Sequence, residues 1–88
     1  MNTTFPSKRR ENLAISVAIL KAARHGIRTT GLIRSVSLSY EQFTRYITLL
    51  KACGFIVDDD AFYETTEKGL KLIREFESSP MIQSVLAA

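Results

Sequence analysis

The chain has 88 residues, of which 45% are hydrophobic and 24% are charged, and its formal net charge at pH 7 is +3. This length predicts one domain over residues 1–88, with a core that hides only about 60–65% of the unfolded surface. One cysteine and one histidine exclude an intrachain disulfide and a zinc cluster. The single cysteine fits a reducing setting, so we expect a cytoplasmic protein. No apolar run reaches the roughly 20 residues of a membrane span, so no membrane partner is expected.

The basic residues are concentrated in the first two thirds of the chain. Residues 1–57 contain nine lysines and arginines but two acids, whereas residues 58–88 contain three and seven. A basic front and an acidic tail favour a polyanion as the partner of one side of the molecule. The alternative is that the charge carries no function, since small basic domains are common.

The first predicted helix runs from Ser7 to His25 and ends at Gly26, after a loose arm over residues 1–6. Ser7 is the candidate N-cap. Lys8, Arg9 and Arg10 follow at the helix N-terminus, where the helix dipole disfavours cations. This placement suggests a phosphate contact, or else a solubilising patch.

The middle of this helix is apolar on nearly all sides. Its two apolar stripes consist of Leu13, Val17 and Leu20, and of Ile15, Ile19 and Ala22. Such a helix must be buried nearly all round. Because a small domain has few ways to cover both sides, we expect one stripe to pack on a partner chain, which predicts a homodimer.

Two further helices follow closely. Ile27 to Thr29 is a short extended segment, and Thr30 is the candidate cap of a second helix over residues 31–36. Ser39, with Gln42 three residues later, predicts a capping box at the start of a third helix over residues 39–53. The buried stripe of this helix is predicted to be Phe43, Ile47 and Leu50. A short helix, a tight turn and a longer helix form a helix-turn-helix arrangement.

After Gly54 the hydrophobic period changes from helix to strand. Residues 55–57 and 61–64 predict a β-hairpin with an acidic tip at Asp58, Asp59 and Asp60. Thr65 or Thr66 is expected to cap a fourth helix, which is broken at residues 78–80. The C-terminal tail, residues 78–88, retains a small apolar stripe that can dock on its own domain, join a dimer interface or fray.

This order of elements, together with two sequence motifs, resembles small archaeal winged helix-turn-helix regulators and chromatin-associated DNA-binding proteins. The first motif lies within residues 30–56, from Leu38-Ser39-Tyr40 to Gly54-Phe55-Ile56, and the second is Tyr63-Glu-Thr-Thr-Glu-Lys-Gly69. The likeness covers about residues 8–77. It implies an α+β, mostly helical winged helix-turn-helix with a two- to three-stranded antiparallel wing. It also implies a homodimer on double-stranded DNA that acts as a transcriptional regulator or chromatin protein in the nucleoid, without a cofactor.

The third helix, as the recognition helix, offers side chains that can read bases. Arg45 can bind guanine through two hydrogen bonds, Gln42 can pair with adenine if the capping box releases it, and threonines can touch thymine methyl groups or phosphates. Tyr40 and the surrounding cations can contact phosphates. The predicted DNA-binding residues are Arg28, Thr30, Arg34, Ser39, Tyr40, Gln42, Thr44, Arg45, Thr48 and Lys51. The alternative for each is an ordinary solvated helix face.

Two features depart from the usual pattern of such proteins. The fourth helix is too short for a long coiled-coil dimer, which leaves the first helix and the C-terminal segment as the expected dimer contacts. The three wing aspartates would be repelled by a phosphate backbone. A second interpretation is therefore a protein–protein interaction module that uses the acidic wing and the apolar first helix. The sequence shows no catalytic constellation and no metal site, so an enzyme is not predicted.

Overall fold

The computed structural model describes the backbone of residues 4–78 and the side chains from Asn12 onward. The elements in chain order are α1 Thr4–Ala22, β1 Ile27–Arg28, α2 Thr29–Val36, α3 Tyr40–Ala52, β2 Ile56–Asp59, β3 Phe62–Thr65 and α4 Glu67–Ser78. Four helices with a three-stranded antiparallel sheet confirm the predicted α+β, mostly helical class. Within residues 4–78, none of the helices combines the length and the hydrophobicity needed to cross a membrane. The C-terminal tail lies outside the described residues, except for Ser78.

Helix α1 differs from its prediction at both ends. It begins at Thr4, so Ser7 is inside the helix rather than its cap, and residues 4–6 belong to the helix rather than to a loose arm. Pro6 fits this start because the first turn of a helix has no use for its missing N–H group. The helix ends at Ala22, before the predicted His25. A turn then leads to Gly26, whose left-handed backbone (φ +88°) lies against the Phe62 ring.

The C-terminal half of α1, with the residue that follows it, is the centre of the core. Val17, Ile19, Leu20 and Ala23 are buried there, and helices α2 and α4 and strand β3 pack around them. Both apolar stripes therefore have buried members within one chain, and Ile19 of the second stripe is 0% exposed. The expectation that one of the two stripes needs a partner chain for its burial is thus wrong for Val17, Ile19 and Leu20, whereas Leu13, Ile15 and Ala22 are only partly buried.

Thr65, at the end of β3, caps the C-terminus of α1. Its N–H donates to the Ala23 carbonyl at 3.0 Å, and its hydroxyl donates to the Leu20 carbonyl at 2.6 Å. The regular helical donor to Leu20 is absent because the Arg24 N–H turns to the Lys21 carbonyl. Thr65 is only 6% exposed. Its side chain therefore satisfies a buried carbonyl that would otherwise lack a donor.

The sheet has the order β1-β3-β2, and the two outer strands pair antiparallel to β3. Its inner face carries Ile56, Tyr63 and Thr65, and its outer face carries Val57 and Phe62. The predicted acidic tip is only partly correct. Asp58 and Asp59 lie within β2, whereas Asp60 and Ala61 form the turn with positive φ values of 52° and 66°.

The N-termini of α2 and α4 use threonines in different ways. Helix α2 begins at Thr29, so Thr30 lies in its first turn and is not the predicted cap. The Thr29 hydroxyl instead donates to the Ala61 carbonyl at 3.1 Å, which fixes the wing turn to α2. At α4, Thr66 is the cap, because its hydroxyl oxygen accepts the Gly69 N–H at 3.1 Å. A side chain at Gly69 would overlap the Phe55 carbonyl oxygen, so α4 lies directly on the wing strands.

Replacing Thr65 by valine should lower the free energy of unfolding by about 1–2 kcal/mol, because it leaves the buried Leu20 carbonyl without its donor. Chemical denaturation followed by circular dichroism measures this change. Thr30→Val is the matched control, since Thr30 is exposed and its replacement should cost less than about 0.5 kcal/mol. Equal effects of the two substitutions would contradict the proposed role of the Thr65 hydroxyl.

Candidate nucleic-acid interface

Helix α3 is fixed at its N-terminus by the predicted capping box. The Ser39 hydroxyl oxygen accepts the Gln42 N–H at 3.1 Å, and the Gln42 side-chain carbonyl accepts the Ser39 N–H at 3.2 Å. This reciprocal pair satisfies two backbone donors that a helix start otherwise leaves free. The prediction from the sequence is therefore confirmed, and α3 begins at a defined residue.

The C-terminus of α3 is tied to the last helix. Gly54 takes the left-handed conformation (φ +82°) that ends α3. The Lys68 ammonium, in the first turn of α4, donates to the Cys53 carbonyl at 2.8 Å and lies 5.2 Å from the Phe55 ring centre. A cation at this end also complements the helix dipole. Both ends of α3 are thus held.

Helix α3 has a buried face and an exposed face. Phe43, Ile47 and Leu50 are buried, as predicted. The Phe43 ring also meets the Tyr63 ring edge-on at 5.8 Å, which joins α3 to the wing. The opposite side carries exposed residues at helical spacing: Glu41, Thr44, Arg45 and Thr48.

Arg45 stands at the edge of a groove between α1 and α3. The groove has a volume of about 590 Å³ and is lined by Asn12, Ile15, Ser16, Gln42, Arg45, Tyr46 and Leu49. Among the residues that the structure describes, no carboxylate lies within ion-pair distance of Arg45. Within that part of the chain, its guanidinium is available to an external acceptor.

Among the groove residues that the sequence analysis did not propose for the site are Asn12, Tyr46 and Leu49. The Tyr46 hydroxyl donates to the Asn12 side-chain carbonyl at 2.8 Å and so joins α3 to α1. These residues are 34 positions apart in the sequence, and no local sequence pattern predicts a hydrogen bond between residues so far apart. Leu49 lies beside them and is 57% exposed, which is high for a leucine on a packed helix.

The two threonines of the exposed face bond to their own helix. Thr44 donates to the Tyr40 carbonyl and Thr48 donates to the Thr44 carbonyl, each at 2.8 Å. Since a phosphate offers only acceptors, a threonine must give up its internal bond to donate to one. Their methyl groups remain suited to contact with thymine methyl groups.

Gln42 and Tyr40 differ in their availability. The Gln42 side-chain oxygen accepts bonds from both the N–H and the hydroxyl of Ser39. A bidentate pair with adenine needs that same oxygen, so it requires the capping box to open. Tyr40 is 70% exposed in the first turn of α3, and its ring extends into solvent.

The predicted phosphate contacts lie on three elements. Arg28 is exposed on β1, Arg34 lies in the last turn of α2, and Lys51 lies in the last turn of α3. Thr30 is exposed in the first turn of α2. Of these residues, Lys51 forms an ion pair with Asp58 of the wing, at 3.1 Å.

Replacing Ser39 by alanine should lower the free energy of unfolding by about 1 kcal/mol, because α3 loses its cap. Urea denaturation measures this cost. Ser35→Ala, at an exposed position inside α2, is the control and should have little effect or be slightly stabilising. An unchanged stability of the Ser39 variant would show that the capping box contributes nothing.

The comparisons with known proteins agree with this geometry. The winged helix-turn-helix family model matches residues 9–83, a stretch that includes most of α1 and all the later elements. No curated protein matches the chain. Domains of this family are typically DNA-binding and not enzymatic. With its four helices, its three-stranded antiparallel wing and a match over most of its length, the chain belongs to the winged helix-turn-helix family.

Proposed function

We propose that this protein binds double-stranded DNA and places α3 in the major groove, as a transcriptional regulator or a chromatin-associated protein of the nucleoid. The observation that carries the proposal is the exposed face of α3, where Arg45 has no acidic partner among the residues that the structure describes. Both ends of this helix are fixed, and its opposite face is buried. The major groove, about 12 Å wide, admits one helix of this kind.

The base-reading role falls mainly to Arg45. A bidentate contact from an arginine to guanine gives about 1–3 kcal/mol of discrimination against other bases. Thr44 and Thr48 flank Arg45 on the same exposed face and would contribute methyl contacts to thymine. Gln42 is better suited to hold the start of α3 than to read adenine, because its oxygen is already occupied.

The backbone contacts would come from the helix-turn-helix and not from the wing tip. Arg28 and Arg34 are exposed on β1 and α2, close in sequence to α3. Asp58, Asp59 and Asp60 give the wing a negative charge, so a phosphate near them would be repelled. In this pose the acidic turn of the wing makes no contact with the DNA backbone, whereas Arg28 of the outer strand β1 does.

We also propose a homodimer that contacts through α1 and residues 78–88. Leu13 and Ile15, one from each apolar stripe of α1, are only partly covered within the described chain. A twofold dimer would present two α3 helices to half-sites about 34 Å apart. Sedimentation at micromolar concentration should give twice the 9.9 kDa chain mass, and a monomer at that concentration would contradict the dimer.

One observation favours the second candidate, a protein–protein interaction module. Val57 and Phe62 on the outer face of the wing are 53% and 41% exposed, and Asp59 and Glu64 lie on the same face. Arg28, opposite Phe62 in the β1–β3 ladder, lies on this face as well, and apolar side chains flanked by charges of both signs suit a protein partner. Such a module would bind duplex DNA neither tightly nor with a steep dependence on salt.

Arg45→Ala should weaken binding to a preferred duplex by about tenfold and reduce the preference over mixed-sequence duplex. Fluorescence anisotropy at two salt concentrations, after selection of a preferred site from random duplexes, measures both effects. Arg74→Ala removes the same charge from the exposed side of α4 and should change the affinity much less.

Two results would contradict this proposal in different ways. If Arg45→Ala and Arg74→Ala have equal effects, α3 is not the reading element. If the unmodified protein binds no duplex at low salt, the interaction module is the better account.

A further inference from the structure

Lys51 is the one cation of the proposed DNA-binding set that already has an acidic partner among the described residues. Its ammonium lies 3.1 Å from the Asp58 carboxylate, and the two side chains are 42% and 34% exposed. Arg28, Arg34 and Arg45 have no carboxylate at ion-pair distance in the part of the chain that the structure describes. Lys51 thus differs from the other three cations in having an ion pair within the described part of the chain.

The position of Asp58 is fixed by the pairing of the wing strands and by the packing of the wing against α3. Asp58 lies opposite Tyr63 in the β2–β3 ladder, and the Tyr63 ring packs edge-on against Phe43 of α3. These contacts direct the inner face of β2 towards the last turn of α3. The next residue, Asp59, lies on the outer face opposite Phe62 and has no ion pair among the described residues. One strand therefore carries one aspartate that reaches α3 and one that does not.

We propose that Asp58 competes with DNA phosphate for Lys51, and so limits the sequence-independent part of the affinity. This inference rests on the proposed DNA binding and names a control element of the same surface. A phosphate that approaches Lys51 must displace the Asp58 carboxylate and then lie beside a fixed negative charge. The cost falls on a backbone contact, which every sequence offers, and not on the base contacts of Arg45. The wing thereby raises the share of the binding energy that depends on sequence.

The test compares two substitutions that remove the same charge from the same strand. Asp58→Asn frees Lys51, whereas Asp59→Asn removes only the general repulsion. Anisotropy titrations with one mixed-sequence duplex at several salt concentrations should show a gain of about fivefold for Asp58→Asn at low salt, beyond the gain of Asp59→Asn. The slope of log K against log salt should steepen by about one for Asp58→Asn alone, because one more counterion is released.

A second pair of variants identifies Lys51 as the residue that is freed. In a Lys51→Ala background, Asp58→Asn should give no more gain than Asp59→Asn does. Asp58→Thr, which suits a β-strand, repeats the test in case the asparagine variant folds poorly, and thermal melting monitored by circular dichroism checks each protein.

The outcomes separate the two levels of the proposal. Equal gains from Asp58→Asn and Asp59→Asn, with unchanged slopes, would overturn the competition while DNA binding itself stands. A gain from Asp58→Asn that persists in the Lys51→Ala background would overturn it as well. If none of the proteins, the unmodified one included, binds duplex DNA, the proposed function fails and the competition fails with it.

Discussion

The structure depends on the two hydrogen bonds that Thr65 makes to the end of α1. Through them, strand β3 satisfies the carbonyls of Leu20 and Ala23, and the wing becomes part of the same body as the central helix. The next residue, Thr66, caps α4 and also donates to the Gly54 carbonyl beyond α3. Two adjacent threonines thus join α1, the wing, α4 and the end of α3. In a chain of this size, burial of apolar surface alone gives little stability. Hydrogen bonds between elements, such as those of Thr65 and Thr66, add stability that a larger core would otherwise provide.

The same connections explain why α3 can act as a rigid presenting element. Its buried stripe packs on the core, its start is fixed by the Ser39–Gln42 box, and its end is held by Lys68. Little of the exposed face therefore has to be ordered when DNA binds, which lowers the entropic cost of binding. The contacts that stabilise the fold therefore also fix the helix backbone that carries Arg45.

Much of this arrangement could be predicted from local sequence patterns. The capping box at Ser39, the buried stripe from Phe43 to Leu50 and the stop at Gly54 are all encoded within one helix, and the structure has them as predicted. Two of the errors occur where contacts with a distant element determine the structure. The start of α2 moved to Thr29, whose hydroxyl and N–H both bond to Ala61 in the wing turn. The burial of Val17, Ile19 and Leu20 likewise depends on α2, β3 and α4, which come later in the chain.

In the candidate site, too, the local features were predictable from the sequence and the contacts between elements were not. The exposure of Arg45 and Thr44 follows from helical period alone. The Tyr46 hydroxyl bonds to Asn12 of α1, and Lys51 pairs with Asp58 of the wing. Because each contact joins two different elements, local sequence patterns could not show that Tyr46 is hydrogen-bonded or that Lys51 is ion-paired. The acidic wing was visible in the sequence as a departure from the usual pattern. The structure adds that one acid of the wing, Asp58, is ion-paired with Lys51 of α3, on the surface that we propose binds DNA.

The central claim is that α3 faces the duplex while the wing tip does not. Backbone amide chemical shifts of the isotope-labelled protein, followed during titration with duplex DNA, test it residue by residue. The account predicts that the largest shift changes occur at the exposed positions of α3 and in the first turn of α2, with small changes at residues 59–61. Changes concentrated in the wing between Val57 and Glu64, with α3 unaffected, would contradict it.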